Sequence, residues 1–389
     1  MNRKKILFVM PLVRPGGVGT SLSSIYTLLD LDKYDVSVFP VANVGLSIRD
    51  QLSYNSCVLP YDLLLSAYYG SLDSYKGVRK SFIALFKMIF RILAISKINI
   101  EEYLIERAVN KIELGNKFDT VVGFMEGYTT KVASFFHCDN KIAWVHCNYN
   151  MHLPMNKSEE RLYEKFDHII SVSQYTTRVF QERYPSLAFK TSCIYNPLDT
   201  SRVLRLSEEP IDDDRFSNRD FCIISVGRVA TVKRFDKIPQ IASRLKTDGL
   251  RFKWYIIGPC YSVQEESSLI SEIKKYAISD YVIWLGGKKN PYPYFKAASL
   301  FVSTSESEAC PMVFNEARIL NLPIVSTNFP SAYEFIEDGV DGIIRPIDNL
   351  SEGICRMMTD SDFYNMLKEN GKCFCYDNSE IINNLNAIL

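Results

Sequence analysis

Short apolar runs alternate with stretches of helical period along the 389 residues. Lys5-Ile-Leu-Phe-Val-Met10 predicts a strand, and the glycine-rich Arg14-Pro-Gly16-Gly17-Val-Gly19-Thr20-Ser21 then opens an amphipathic helix running through Leu29. Further on, Lys141-Ile-Ala-Trp144-Val-His146 and His168-Ile-Ile-Ser-Val172 are apolar and strand-like, and Ser173 is placed to cap a helix beginning at Gln174. The second half repeats the alternation. Phe221-Cys-Ile-Ile-Ser-Val226, Phe252-Lys-Trp-Tyr-Ile-Ile257, Tyr281-Val-Ile-Trp-Leu285 and Leu300-Phe-Val-Ser303 read as strands, whereas Ile238 to Leu245 and Val313 to Leu320 are helix-periodic. Strands alternating with helices predict βαβ units, an α/β fold with parallel sheets, and ligands beyond the carboxyl ends of the strands.

The residues suited to chemistry fall at those ends. Gly227 and Arg228 follow one strand, with Lys233 five positions later, so one loop projects two cations. Gly258 follows the next strand. After Ser303 the chain runs Thr-Ser-Glu-Ser-Glu308-Ala309-Cys310-Pro311-Met312-Val313-Phe-Asn-Glu316. A helix opening near Pro311 presents unpaired backbone N–H groups and a positive dipole end, which suit a phosphate. Glu316, about one turn in, is placed to reach a sugar hydroxyl pair beside that phosphate, and Glu308 to lie over whatever hangs from its far side.

In this order, Val226-Gly-Arg228 with Lys233, Ile257-Gly258, Leu285-Gly286, Glu308 and Glu316, Pro323 to Asn328, Glu334, and Gly339 to Gly342 resemble the retaining glycosyltransferases of family 4. The resemblance implies a GT-B fold, two Rossmann-like parallel-sheet domains facing a cleft, with a C-terminal helix crossing back to the N-terminal domain. It implies Arg228 and Lys233 at the donor diphosphate, Glu316 at the ribose, Glu308 at the transferred sugar, and the backbone of Cys310, Pro311, Met312 and Val313 around phosphate and sugar. Gly16, Gly17 and Gly258 would admit the donor to the backbone. Ala309 departs from the family, which usually has Gly there. If that position needs positive φ, alanine costs about 1 kcal/mol or shifts the loop.

Trp144-Val-His146 resembles a segment of the bacterial polysaccharide members. His146 ends a strand, where a neutral imidazole can donate to a hydroxyl or stabilise the reacting sugar. His137, His152 and His168 have no comparable support. Gly17-Val-Gly19-Thr-Ser-Leu22 lacks the third glycine of a dinucleotide fingerprint and no P-loop is present, which disfavours a dehydrogenase or an NTPase.

Lys plus Arg and Asp plus Glu both total 45, so no overall field draws nucleic acid. The ten cysteines show no metal or CxxC spacing and fit reduced thiols in a cytoplasmic protein. No leader pattern is seen, and no apolar run is long enough to span a bilayer. The stretch 79–97 carries five cations, no acid and many large apolar residues, and reads either as a helix lying at an anionic inner-leaflet surface or as a packed helix with a basic edge. The expected divisions are an acceptor-binding domain at 1–198, a linker at 199–219, a nucleotide-sugar-binding domain at 220–372 and a crossing helix at 373–389. Acidic Glu208 to Asp214 reads as solvated linker. Neither it nor Asp30-Leu-Asp32 ends a strand as an Asp-x-Asp metal motif does, and no cofactor or obligatory metal is expected. The reading is a hexosyltransferase that uses a nucleoside-diphosphate sugar, by resemblance UDP-linked, and a glycan or lipid-linked acceptor in bacterial surface polysaccharide (capsule) synthesis. A GT-B-type epimerase and an inert sugar-nucleotide-binding partner protein are the alternatives.

Overall fold

The computed structural model describes residues 3–11, 16–42, 57–70, 72, 77–95, 99–151, 157–217 and 219–389. The chain divides into two compact units, Met1–Leu198 with Asn378–Leu389, and Asp199–Asp377.

In the first unit, β1 (Lys4–Met10), β2 (Tyr34–Pro40), β3 (Thr120–Gly123), β4 (Asn140–Val145), β5 (His168–Ser171) and β6 (Thr191–Cys193) form a parallel sheet in the order β2-β1-β3-β4-β5-β6. Ile6 to Val9 are fully buried, as a parallel strand covered on both faces requires. Ser173 caps the Gln174–Arg183 helix through a bond from the Thr176 N–H at 3.2 Å. The Ser379–Ile388 helix belongs to this unit. Its Ile381, Leu385 and following Leu389 are buried, and Thr120 and Asn140, at the amino ends of β3 and β4, donate to the Leu389 and Ile388 carbonyls at 3.0 and 2.6 Å. The helix thus sits against the amino-terminal edge of the sheet and leaves the carboxyl edge of β3 and β4 open. Of the expected crossing segment 373–389, only this later part is helical here; the preceding helix, Ser361–Lys372, lies in the second unit.

In the second unit, β7 (Phe221–Val226), β8 (Phe252–Ile257), β9 (Val282–Gly286), β10 (Leu300–Ser303), β11 (Ile324–Thr327) and β12 (Gly342–Arg345) form a parallel sheet in the order β12-β11-β10-β7-β8-β9. The chain winds outward from β7 in one direction and from β10 in the other, so the strand order reverses between these two neighbours. A ligand of such a sheet binds beyond that point.

The stretch 199–217 is partly structured, while most of its acidic run is exposed. It starts with the Thr200–Ser207 helix, capped by Asp199, which packs on the Tyr292–Ala297 and Met312–Ile319 helices. The acidic run that follows is fastened down. Arg215 grips Asp213 with two nitrogens at 2.9 and 2.6 Å, Lys288 reaches the same carboxylate at 2.8 Å, and Tyr294 donates to Asp212 at 2.6 Å. Arg215, then Lys288, hold Asp213 far below the usual carboxylate range. Asp213 is thus held among cations, whereas Glu208, Glu209, Asp212 and Asp214 are exposed as expected of the run. All ten cysteines are free thiols; Cys222 is buried, and Cys373 and Cys375 are exposed.

Candidate active site

Three strand ends of the second unit are stitched by their backbones. Gly227 N–H donates to the Ile257 carbonyl at 2.9 Å, Gly258 N–H to Gly286 at 2.8 Å, and Val229 N–H to Pro259 at 2.9 Å. The approach is so close that a Cβ on Gly258 would fall 1.8 Å from the Gly227 carbonyl oxygen. Gly258 is therefore required by packing, where the sequence suggested close approach of a donor.

Beyond β7 the chain makes the 3-10 turn Thr231–Lys233 and passes through a left-handed Arg234 (φ 51°). That turn is tied to the loop after β10: Thr304 donates to the Lys233 carbonyl at 2.7 Å and Glu306 N–H to Val232 at 2.8 Å. The crevice between β7 and β10 consequently brings together two expected site residues 75 positions apart, the Lys233 ammonium on Glu308 Oε1. Ser305 also donates to that oxygen at 2.8 Å, and Ser331 donates to the Glu308 carbonyl at 2.6 Å. Both partners of the pair are largely but not wholly shielded, so a bound anion has a cation to take and a sugar hydroxyl has a carboxylate. Arg228 is exposed beside this crevice, directly after β7 and Gly227.

The Met312–Ile319 helix begins after Pro311 with no side-chain cap and no acid in its first turn. Of its opening amides, Met312 N–H donates to the Cys310 carbonyl and Phe314 N–H to the Pro311 carbonyl, both at 2.9 Å, so the backbone itself takes part of what an anion would use at this helix start. Cys310 and Val313 are part-buried and Met312 is buried. Ala309 is not among the left-handed residues Arg234, Ala277 and Asn321, so alanine in place of the usual glycine brings no positive-φ strain. Glu316 is buried, and burial pushes its carboxyl up to about 7 against the opposing pull of the Tyr292 hydroxyl, which donates to it at 3.0 Å, and of Arg202. Sequence reasoning missed both partners. Tyr292 lies between two prolines, outside every expected motif, and Arg202 lies in the expected linker. The adjacent Asn315 is buried, and its Nδ2 has no hydrogen-bond partner among the described residues.

The remaining expected residues belong to the first unit. Gly16 (φ 143°, ψ 170°) precedes the Gly17–Leu28 helix, and added Cβ atoms at Gly16 or Gly17 would meet only open space. Gly16 thus serves the turn, in a conformation closed to other residues. His146 follows β4. Its N–H donates to Glu126 Oε2 at 2.8 Å, its ring lies parallel to Trp144 (centroids 6.0 Å, 13°) and edge-on to Phe124 (4.7 Å), and its Nε2 is enclosed without a partner among the described residues. Burial pushes the imidazole down to about 3, so it is neutral at physiological pH. The unfolded chain takes up that proton first, near 6.5, and stability attributable to this site is lost as pH falls from about 6.5 toward 3. Replacing His146 by glutamine is expected to flatten the acid limb by about 1–2 kcal/mol between pH 6.5 and 5, read from urea midpoints. His137 is exposed on Glu113, His168 opens β5, and His152 lies outside the described residues.

Residues 207–374 match the family profile described as glycosyl transferases group 1. This region is a glycosyltransferase group 1 domain. A 227-residue alignment with an uncharacterized glycosyltransferase of Methanocaldococcus jannaschii is 27% identical and covers 55% of this chain and 52% of that one. Over 114 residues the chain is also 27% identical to the amylovoran biosynthesis glycosyltransferase AmsD of Erwinia amylovora, covering 29% of this chain and 31% of the relative. The alignments thus span about half or less of these two relatives. In structure, the chain superposes on Anabaena HepE, solved in complex with UDP and glucose, with a TM-score of 0.74, 17% identity and 99% coverage of both chains. The fold of the chain is GT-B.

Proposed function

We propose that the protein is a retaining family 4 hexosyltransferase that moves a sugar from a nucleoside diphosphate, UDP by preference, to a hydroxyl of a glycan or lipid-linked acceptor in bacterial surface polysaccharide synthesis. The observation that carries this reading is the meeting of Lys233 and Glu308 at the β7/β10 reversal, next to an uncapped helix start. HepE in complex with UDP and glucose supports the donor class, and AmsD the pathway class. In this reading Arg228, Lys233 and the amides at Cys310 to Val313 stabilise charge developing on the departing diphosphate, the largest electrostatic demand of the reaction. Glu316 accepts from the ribose hydroxyls and Glu308 from the transferred sugar, while neutral His146 hydrogen-bonds a sugar hydroxyl once its enclosed Nε2 is uncovered. Two cations at the diphosphate make turnover independent of added metal. The test is incubation of UDP-sugars with lipid-linked and oligosaccharide acceptors, with and without EDTA, the anomer being assigned by NMR. Acceptor-dependent release of UDP with retained configuration is expected; epimerised donor without acceptor, or no turnover of any nucleotide sugar, would overturn the reading.

We further infer that the protein works in the cytoplasm and meets the inner leaflet through the Gly77–Ile95 helix. Val78, Phe82, Leu85, Ile89 and Ile92 form an exposed stripe along it, with Met88 beside them, while Ile83 and Phe90 face the core. Arg79, Lys80, Lys87 and Arg91 are its charged residues, with no acid among them, in a chain of zero net charge. An exposed apolar stripe on a helix that carries cations and no acid is what supports contact with an anionic lipid surface. Among the described residues no helix is long and apolar enough to cross a membrane. Each cation near such a surface is worth about 1 kcal/mol, so reversing Arg79 and Lys80 to glutamate is expected to weaken binding to phosphatidylglycerol vesicles roughly a hundredfold. Unchanged co-sedimentation would sink the idea.

A further inference from the structure

Glu316 is met by groups from two other helices. Tyr292, in the first turn of the Tyr292–Ala297 helix, donates its hydroxyl to Glu316 Oε1 at 3.0 Å, with both side chains buried. The Thr200–Ser207 helix packs against both neighbours, and its Arg202 places a positive charge near the pair. Asp199, the cap of that helix, is the negative charge that acts with Glu316 on Tyr292.

We propose that Tyr292 is a positioning residue for the donor nucleotide: with Arg202 as counter-charge, it holds the Glu316 carboxylate ionised and oriented to accept the ribose hydroxyls. This rests on the donor-site reading above. A carboxylate has about four acceptor sites, so one bond from Tyr292 leaves room for a hydroxyl pair, whereas a protonated carboxyl turns one oxygen into a donor. Burial alone favours the protonated form; the tyrosine hydroxyl and the guanidinium oppose it. The phenol also fixes which oxygen faces away from the helix junction, since a buried side chain with one short bond has little rotational freedom left.

The experiment is calorimetric titration with UDP, from about pH 5.5 to 9, of the full chain and its Tyr292→Phe, Arg202→Gln and Glu316→Gln variants. Thermal melts confirm that each is folded. Wild-type affinity is expected to rise with pH through the titration of Glu316. In Tyr292→Phe the midpoint moves to higher pH, so that UDP binds about tenfold more weakly near pH 6.5 and within threefold of wild type near pH 9; Arg202→Gln moves it the same way. Glu316→Gln binds weakly at every pH, with the dependence gone. A Tyr292→Phe profile superimposable on wild type, or lowered equally at all pH values, overturns the positioning role while leaving the donor site intact. Wild-type affinity in Glu316→Gln instead overturns the donor-site reading, and this proposal with it.

Discussion

Replacing Glu316 by alanine is expected to weaken UDP binding more than a hundredfold and to flatten the dependence of stability on pH between about 4.5 and 7. Hydrogen bonds to a charged acceptor contribute about 1.5–3 kcal/mol each when water is excluded, and two ribose hydroxyls lose them together. The second effect follows from burial. A carboxyl raised from its ordinary 4.5 to about 7 contributes stability that is fully present below about 4.5 and is lost as pH rises through about 7, because the folded chain must then hold a charge that the unfolded chain solvates. The variant has no such group. Its melting temperature should therefore fall less between pH 5 and 8 than that of the wild type, whatever the cavity does to its absolute value. Glu308→Ala is the contrast. Its carboxylate is reached by Lys233 and Ser305, and its loss is expected to depress turnover while UDP affinity stays within a few-fold. Equal loss of UDP affinity in the two variants would contradict the division of roles.

Substituting Gly258 by alanine is expected to lower stability by about 3 kcal/mol or more, or about 6–12 °C in the melting temperature. The added methyl would lie 1.8 Å from the Gly227 oxygen and 2.6 Å from its carbon, both backbone atoms, and φ at this glycine is 156°. Neither neighbour can step aside without breaking the Gly227 to Ile257 bond that closes the ends of β7 and β8. Gly227→Ala has a different neighbourhood. Its methyl would meet only the Lys233 side chain, at 3.4 Å, which can swing away. The expected outcome is a smaller shift in melting temperature than for Gly258→Ala, accompanied by altered UDP affinity through the displaced ammonium. A Gly258→Ala protein melting with the wild type would show that the strand ends are looser than this geometry.

The strands were legible because a strand buried on both faces must be largely apolar, and Phe221 to Val226 and Phe252 to Ile257 are, apart from Ser225 and Lys253. Glu308 and Glu316 were legible by their place at a strand–loop–helix turn. Order along the chain did not reveal what the sheet brings together. Lys233 read as a cation for phosphate, not as the partner of a carboxylate 75 positions later. Tyr292 and Arg202 were invisible for the same reason: their role exists only once three helices pack. Local composition was misleading at Asp213, because the cations that hold it, Lys288 and Arg215, are set by the fold. Ala309 prompted an expectation of strain that depends on a backbone angle no sequence displays, and that angle proved unstrained.

Leu198 and Asn378 grip each other twice, N–H to side chain at 3.0 Å and side chain to carbonyl at 2.9 Å, where the chain leaves the first unit and returns to it. The second unit is therefore an insertion with neighbouring ends. During synthesis its sheet can close as soon as Asp377 has emerged, whereas the first unit must wait with the amino ends of β3 and β4 uncovered until residues 379–389 follow. The half made first is thus the half completed last.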